Sequence, residues 1–253
     1  MNATKTTKAT KATKRTKKPS GVIVWQNKLI ALIMVIKSSN SKTGNMVQTH
    51  IIRKDKKPTQ AINDGSDRLI CGDCPHRKNQ KTGKRTCYVN VGQGPNSVYK
   101  KLSGKNPYPK FNPKIHAKYL QNRMLRIGSY GDPAMVPYRV WKHLLQYFAR
   151  HTGYTHQWHN QIHDGFKLIL MASCDSKLDL IQANLKGYRG FLVTEHNREL
   201  KNIPELNAIP CVNSTHKKQC EQCGLCNGNP NGSGKNIFIP AHGTSKRFVM
   251  NLA

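Results

Sequence analysis

The sequence predicts an α/β fold: a partial or distorted β/α barrel with an N-terminal β-hairpin and Cys-rich metal-binding loops. Three observations predict it. Apolar, β-branched runs open the body of the chain, short apolar strands alternate with amphipathic helices from Met124 onward, and seven of the eight cysteines fall into two groups. These groups are Cys71-x2-Cys74-x12-Cys87 and Cys211-x8-Cys220-x2-Cys223-x2-Cys226, with Cys174 apart. Strands that alternate with helices pair in parallel, because each helix carries the chain back across the sheet. A chain of 253 residues buries an adequate core by itself, so a metal here is a site or a local clamp.

The chain begins with Lys5, Lys8, Lys11, Lys14, Arg15, Lys17 and Lys18 set among Thr and Ala, with no acid and no apolar stretch. Such a segment cannot bury enough apolar surface to order itself. Residues 1–21 therefore read as a disordered basic arm and residues 22–253 as a single α/β metal-binding domain. Lys14, Arg15, Lys17 and Lys18 are the expected nucleic-acid-binding residues of the arm.

In the body, Val22 to Trp25, Ala31 to Ile36 and Met46 to Ile52 are apolar and separated by turn-forming residues, which predicts a hairpin or antiparallel ribbon. Pro58 to Asn63 predicts one short helix. Residues 72–113 are rich in Gly, Pro, Lys and Asn and weakly periodic, with a short helix expected around Val98 to Leu102; long irregular stretches of this kind are usually functional. Leu125 to Gly128 predicts a strand, and Val136, Val140, Trp141, Leu144, Leu145 and Phe148 recur at helical spacing behind Pro133 and Pro137. Lys167 to Ala172 reads as a strand, Leu178, Ile181 and Leu185 as the apolar stripe of a helix, and Phe191 to Val193 and Ile237 to Ile239 as the last strands.

The formal charge of +30 is not an artefact of the arm, since about +23 remains without it. Nucleic acid is the commonest partner of such a surface, because each neutralised phosphate releases counterions; a merely solvated surface is the alternative. No amphipathic basic helix supports a membrane face. The longest apolar run, Leu29 to Ile36, falls far short of the ~20 residues that span a bilayer, so a soluble protein is expected. With no secretory signal evident, metal ligation is favoured over disulfides for the thiols.

In parallel sheets chemistry collects at the carboxyl ends of the strands. Asp132, His156, Asp175 and His242 all follow apolar segments and are the expected acid, base or substrate-binding groups. Three of them have a structural alternative. Asp132, before Pro133, and Asp175, before Ser176 and a helix, suit caps; His156 and His159, beside Trp158, suit hydrogen-bonded structural roles.

The metal ligands expected are Cys71, Cys74, Cys87, Cys211, Cys220, Cys223 and Cys226. The two-residue spacing lets paired thiolates converge on zinc. Cys220-x2-Cys223-x2-Cys226 also matches the start of a bacterial ferredoxin run, although Asn229-Pro230 stands where that run needs Cys-Pro, leaving Cys211 as a possible fourth ligand. The first group has three thiols and needs His76, Cys174 or an outside ligand. An iron–sulfur cluster or zinc is the expected cofactor.

Ile70-Cys71-Gly-Asp-Cys74-Pro-His, Cys87-Tyr88-Val89, Arg126-Ile127-Gly-Ser-Tyr-Gly-Asp132-Pro, Gly153-Tyr-Thr-His-Gln-Trp158, Met171-Ala-Ser-Cys-Asp-Ser176 and Cys220-x2-Cys223-Gly-Leu-Cys226 together resemble an uncharacterised family of bacteriophage proteins. The resemblance implies a protein made in bacterial host cytoplasm, where thiols stay reduced. A Cys loop ending in Cys-Tyr ahead of β/α units is distantly similar to radical S-adenosylmethionine enzymes, which implies that cosubstrate. Their C-x3-C-x2-C is replaced here by C-x2-C-x12-C.

The leading expectation is a phage-encoded metalloprotein, leaning towards an enzyme, that acts on or with nucleic acid. The alternative is a non-enzymatic zinc-stabilised nucleic-acid-binding protein. With only 12 acidic residues and no His-hydrophobic-His pair, a nuclease or replication initiator ranks last.

Overall fold

The computed structural model describes residues 18–38, 40–195 and 199–241. Lys14, Arg15, Lys17 and His242 lie outside the described residues. Two five-stranded sheets make up the mixed α/β architecture. The first runs β1 (Gly21–Gln26), β2 (Ile30–Val35), β3 (Val47–Arg53), β4 (Met124–Tyr130) and β5 (Arg150–Thr152). The second contains β6 (Tyr154–Thr155), β7 (Met171–Cys174), β8 (Gly190–Thr194), β9 (Ala208–Pro210) and β10 (Asn236–Pro240), in the spatial order β6-β7-β8-β10-β9.

The N-terminal ribbon follows from its sequence. Asn27 turns the chain by accepting hydrogen bonds from the backbone of Leu29 and Ile30 on its side-chain oxygen, and β1, β2 and β3 pair antiparallel. Every later pairing between strands is parallel. That change has a cause in chain length, since a parallel neighbour requires a crossover, and helices supply it. Between β3 and β4 lie α1 (Pro58–Asn63), α2 (Arg68–Cys71), α3 (Gly94–Leu102) and α4 (Pro113–His116). Next come α5 (Tyr138–Leu145), α6 (Phe166–Ile169) and α7 (Lys177–Leu185), with α8 (Val212–His216) and α9 (Cys220–Cys223) between β9 and β10.

The two sheets meet in one extended run, residues 150–155, whose halves belong to different sheets. Gly153 divides them: its N–H donates to the Cys226 carbonyl at 2.9 Å and its carbonyl accepts from the Met171 N–H at 3.0 Å. A Cβ at Gly153 would lie 2.6 Å from Leu170 Cδ2 and 2.8 Å from Ile127 Cβ, so a side chain would force the seam apart.

The expected barrel is not formed by the described residues. Outside their own sheets, β1 meets only a bridge at Lys110 and β9 one at Ile203. The antiparallel ribbon sits on the edge where further β/α units would have to continue, and β9, three residues long, offers little edge to close onto.

Two segments depart from their sequence patterns. Residues 167–172 do not form one strand: α6 ends at Ile169, and the strand begins at Met171. Phe166 and Ile169, three apart, point into the core while Leu168 is exposed, and so short an apolar run suits either period. In α7 the buried residues are Leu180 and Ala183, whereas Leu178, Ile181 and Leu185 face outward. Leu180 packs over Gly190 of β8, the space a side chain there would take. No helix among the described residues is long and apolar enough to cross a membrane.

The core is in two parts. One joins the ribbon, β4, α5 and α6 around Trp141; the other lies between the second sheet and α7, around Trp158, Leu192 and Phe238. Both indoles are anchored, Trp141 to the Pro133 carbonyl at 2.9 Å and Trp158 to the Ser173 carbonyl at 2.8 Å. These bonds fix the segments that follow β4 and β6, where polar residues gather.

Candidate functional site

Parallel pairing across the seam brings the carboxyl ends of β4, β6 and β7 to one rim, and with them Asp132, His156 and Asp175. Asp132 is buried and fully engaged. One carboxylate oxygen accepts from the Thr155 hydroxyl (2.7 Å) and the Ala134 N–H (3.0 Å), the other from the His156 N–H (2.8 Å). Burial raises its pKa even against these donors. It caps the 3-10 turn at Pro133–Met135 and seats His156; its geometry is that of a clamp.

Asp175 meets a residue 99 positions away in sequence. Its Oδ1 lies 2.8 Å from His76 Nε2, and His76 Nδ1 lies 2.7 Å from the Thr86 hydroxyl. Burial alone would raise the Asp175 pKa, but the His76 hydrogen bond and charge bring it below the usual carboxylate range. The His156 ring packs edge-on to His76 with centroids 5.2 Å apart, and its buried Nε2 has no hydrogen-bond partner among the described residues. His159 stacks instead on Trp158, with ring centroids 3.6 Å apart.

The first cysteine loop lies against this rim. Gln157 binds it, donating to the Cys71 carbonyl (3.2 Å) and accepting from the Asp73 N–H (3.2 Å); Gly72, with φ of 57°, turns where any side chain would meet Gln157. The Cys87 N–H donates to the His76 carbonyl at 3.0 Å, closing the loop. Burial pushes the Cys71 thiol well up, and neighbouring Cys74, Asp67 and Cys87 add to it. Tyr130 is likewise raised by burial and then by Cys71, and its hydroxyl is buried without a partner among the described residues.

The second loop converges on the seam. Burial pushes the Cys226 thiol up to about 12, with Cys211 and Cys220 adding to the shift against a hydrogen bond from Tyr154. Cys220 is raised by burial, with Arg126 opposing and Cys211 and Cys223 contributing in turn. Arg126, 8% exposed, stacks 4.3 Å from the centroid of Tyr154, and no carboxylate lies within ion-pair distance of it among the described residues. Arg189, also buried, spends its donors on the carbonyls of Leu225, Gly228 and Lys235 and on Asn227.

All eight thiols are unlinked, and Cys174 is buried by itself in the second core. A tetrahedral ion with bonds of ~2.3 Å would hold its thiolates about 3.8 Å apart. Among the described residues neither cysteine group supplies three ligand atoms within 4.8 Å of one another; His76, His156 and Asp175 do.

Lys and Arg far outnumber the acids, and many of the acids are already matched. Asp55, Asp64, Asp67, Asp73, Asp164 and Glu199 each pair with a Lys or Arg, half of the 12 acids set against 42 Lys and Arg. Lys18, at the end of the arm, sits 5.8 Å over the Tyr119 ring; its pKa is lowered by burial and then by Arg123 and Lys37.

His50 and His156 are held neutral by burial, each with a pKa of about 4. The unfolded chain takes up these protons below pH ~6.5 and the folded chain does not, so stability of metal-free protein falls as pH drops from 6.5 towards 4. The expected slope is at most about 1.4 kcal/mol per pH unit per histidine; His116, His151 and His159 act in the same direction, while Asp132, with its raised pKa, opposes them. Urea midpoints at pH 7 and pH 5 check this, and equal midpoints would contradict it.

Sequence reading missed Thr86, Gln157, Arg126 and Arg189 as partners of the site. Only Arg126 left a local mark, a charge inside the apolar strand Leu125-Arg126-Ile127. No protein-family model matches this chain, and no curated protein and no solved structure matches it.

Proposed function

We propose that this chain is a metalloprotein in which Cys211, Cys220, Cys223 and Cys226 carry an iron–sulfur cluster or zinc, Cys71, Cys74 and Cys87 form a second thiol site, and the basic exterior works on or with nucleic acid. One observation carries the reading: Arg126 is buried beside the second thiol group with no carboxylate among the described residues to neutralise it. Tyr154 holds the guanidinium by its ring and hydroxyl and favours the charged form, but taking a cation out of water without an anion to pair it costs several kcal/mol. A centre ligated by four thiolates is anionic, and placed there it supplies the missing counter-charge.

Among the described residues no three thiols of either group lie within 4.8 Å of one another, which disfavours a preformed single-ion tetrahedron and leaves the wider ligand set of a cluster. The unpartnered Tyr130 hydroxyl near Cys71 similarly suits a polar occupant in the first loop. A bound centre would supply redox or Lewis-acid chemistry, and the rim beside it, with Asp175 and the two histidines, would handle protons or bind substrate.

Iron, sulfide and zinc analysis of anoxically isolated protein tests this. Iron with sulfide and absorbance at about 400 nm supports the cluster; a colourless preparation with stoichiometric zinc supports the zinc form. Protein that holds neither metal when isolated or after reconstitution refutes the proposal.

A second reading, a zinc-stabilised nucleic-acid-binding protein without turnover, draws on the shortness of α8 and α9 and on residues 72–93, which contain no helix or strand. Loops with so little backbone pairing gain most from a clamp. Salt-dependent binding of DNA or RNA, with the nucleic acid and any added S-adenosylmethionine recovered unchanged, would favour it.

A further inference from the structure

We propose that His76, His156 and Asp175 bind one divalent transition-metal ion, of the zinc or iron(II) class, at the carboxyl rim and with no thiolate among its ligands. Their ligand atoms all lie within 4.8 Å of one another. At bond lengths of ~2.1 Å, adjacent ligands stand about 3.0 Å apart around an octahedral ion and about 3.4 Å around a tetrahedral one. The 2.8 Å between His76 Nε2 and Asp175 Oδ1 has only to open by a few tenths of an ångström.

The independent sign of a ligand is His156 Nε2. It is buried and makes no hydrogen bond among the described residues, on a ring lying edge-on to His76. A His76–Asp175 ion pair by itself would leave this nitrogen unsatisfied, and buried polar atoms are rarely left so. An ion shared by the three groups satisfies it.

Each ligand is held from behind, as a metal site requires. Thr86 engages His76 Nδ1, leaving Nε2 for the site. Asp132 holds the His156 backbone N–H. Asp179 accepts from the backbone of both Asp175 and Ser176 while it closes the capping box of α7. Two imidazoles and a carboxylate suit zinc or iron better than calcium or magnesium, and three protein ligands leave coordination positions open to solvent or substrate.

Cobalt(II) is a suitable probe because thiolate ligation adds an intense near-ultraviolet band that nitrogen and oxygen ligands do not give. Metal-stripped full-length protein is titrated with cobalt(II) and the bound equivalents counted. The expected result is that His156→Ala and Asp175→Asn each bind one equivalent fewer than the unsubstituted protein with the thiolate band unchanged. Thr86→Val is expected to keep the equivalent but bind it roughly 10–100-fold more weakly.

Unchanged stoichiometry in folded His156→Ala protein would overturn the assignment, as would loss of the thiolate band along with the equivalent. Should His156→Ala fail to fold, the near-isosteric Asp175→Asn decides on the same two readouts. Failure of the thiol-centre proposal looks different: the band is missing from the unsubstituted protein while the rim equivalent persists.

Discussion

Replacing Asp132 by alanine is expected to lower the stability of the protein by about 3–5 kcal/mol, because three donors lose their acceptor at ~1–3 kcal/mol each. Those donors are the Thr155 hydroxyl and the backbone N–H groups of Ala134 and His156. Relief from burying the carboxylate, visible in its raised pKa, offsets part of the sum. Asp132→Asn keeps an acceptor for one side of the network and turns an amide towards the His156 N–H, so an intermediate loss of about 1–2 kcal/mol is expected. Urea unfolding of the three proteins measures both. A loss under ~1 kcal/mol for the alanine variant would show that the carboxylate is not a clamp and would return Asp132 to the groups free to act at the rim.

Arg126→Met is expected to change stability in opposite directions with and without metal. In the stripped protein the substitution removes a buried cation that has no carboxylate, and exchange of such a charge for an apolar side chain is worth about 1–4 kcal/mol in favour of the fold. The lost stacking on Tyr154, ~0.5–2 kcal/mol, is the smaller effect. In the loaded protein the same change removes the counter-charge of the thiolate centre, so the metal should be stripped at lower chelator concentration and the stability gain should vanish or reverse. Urea midpoints with and without reconstituted metal give the comparison. A stripped variant several kcal/mol less stable than its parent would show that Arg126 is satisfied without any anion, and the main support for a thiolate centre would go.

The parts of the fold legible in sequence were those fixed by local chemistry. Pro58 presets the backbone of α1, the apolar runs on either side of Asn27 pair as a ribbon, and the charged and apolar positions from Tyr138 to Leu145 define α5. Where a short run fits two periods the local pattern was insufficient: Phe166–Ile169 forms a helix, and α7 buries Leu180 and Ala183 because Gly190 leaves space there. The open edges at β1 and β9 depend on which strands find partners, which no single segment encodes. The site divides in the same way. Asp132, His156 and Asp175 could be placed at strand ends from the sequence, but the contact between His76 and Asp175 spans 99 positions and exists only after folding.

The glycine between the two sheets has a mechanical consequence. Its N–H is satisfied by the Cys226 carbonyl and not by a strand, so the chain segment bearing the thiols acts as the stitch between the halves of the molecule. Tyr154, next in sequence, leans on the same cysteine, and two residues further on the chain delivers His156 to the rim. A side chain at Gly153 is therefore expected to disturb the seat of the thiol-bearing segment and that of the histidine together.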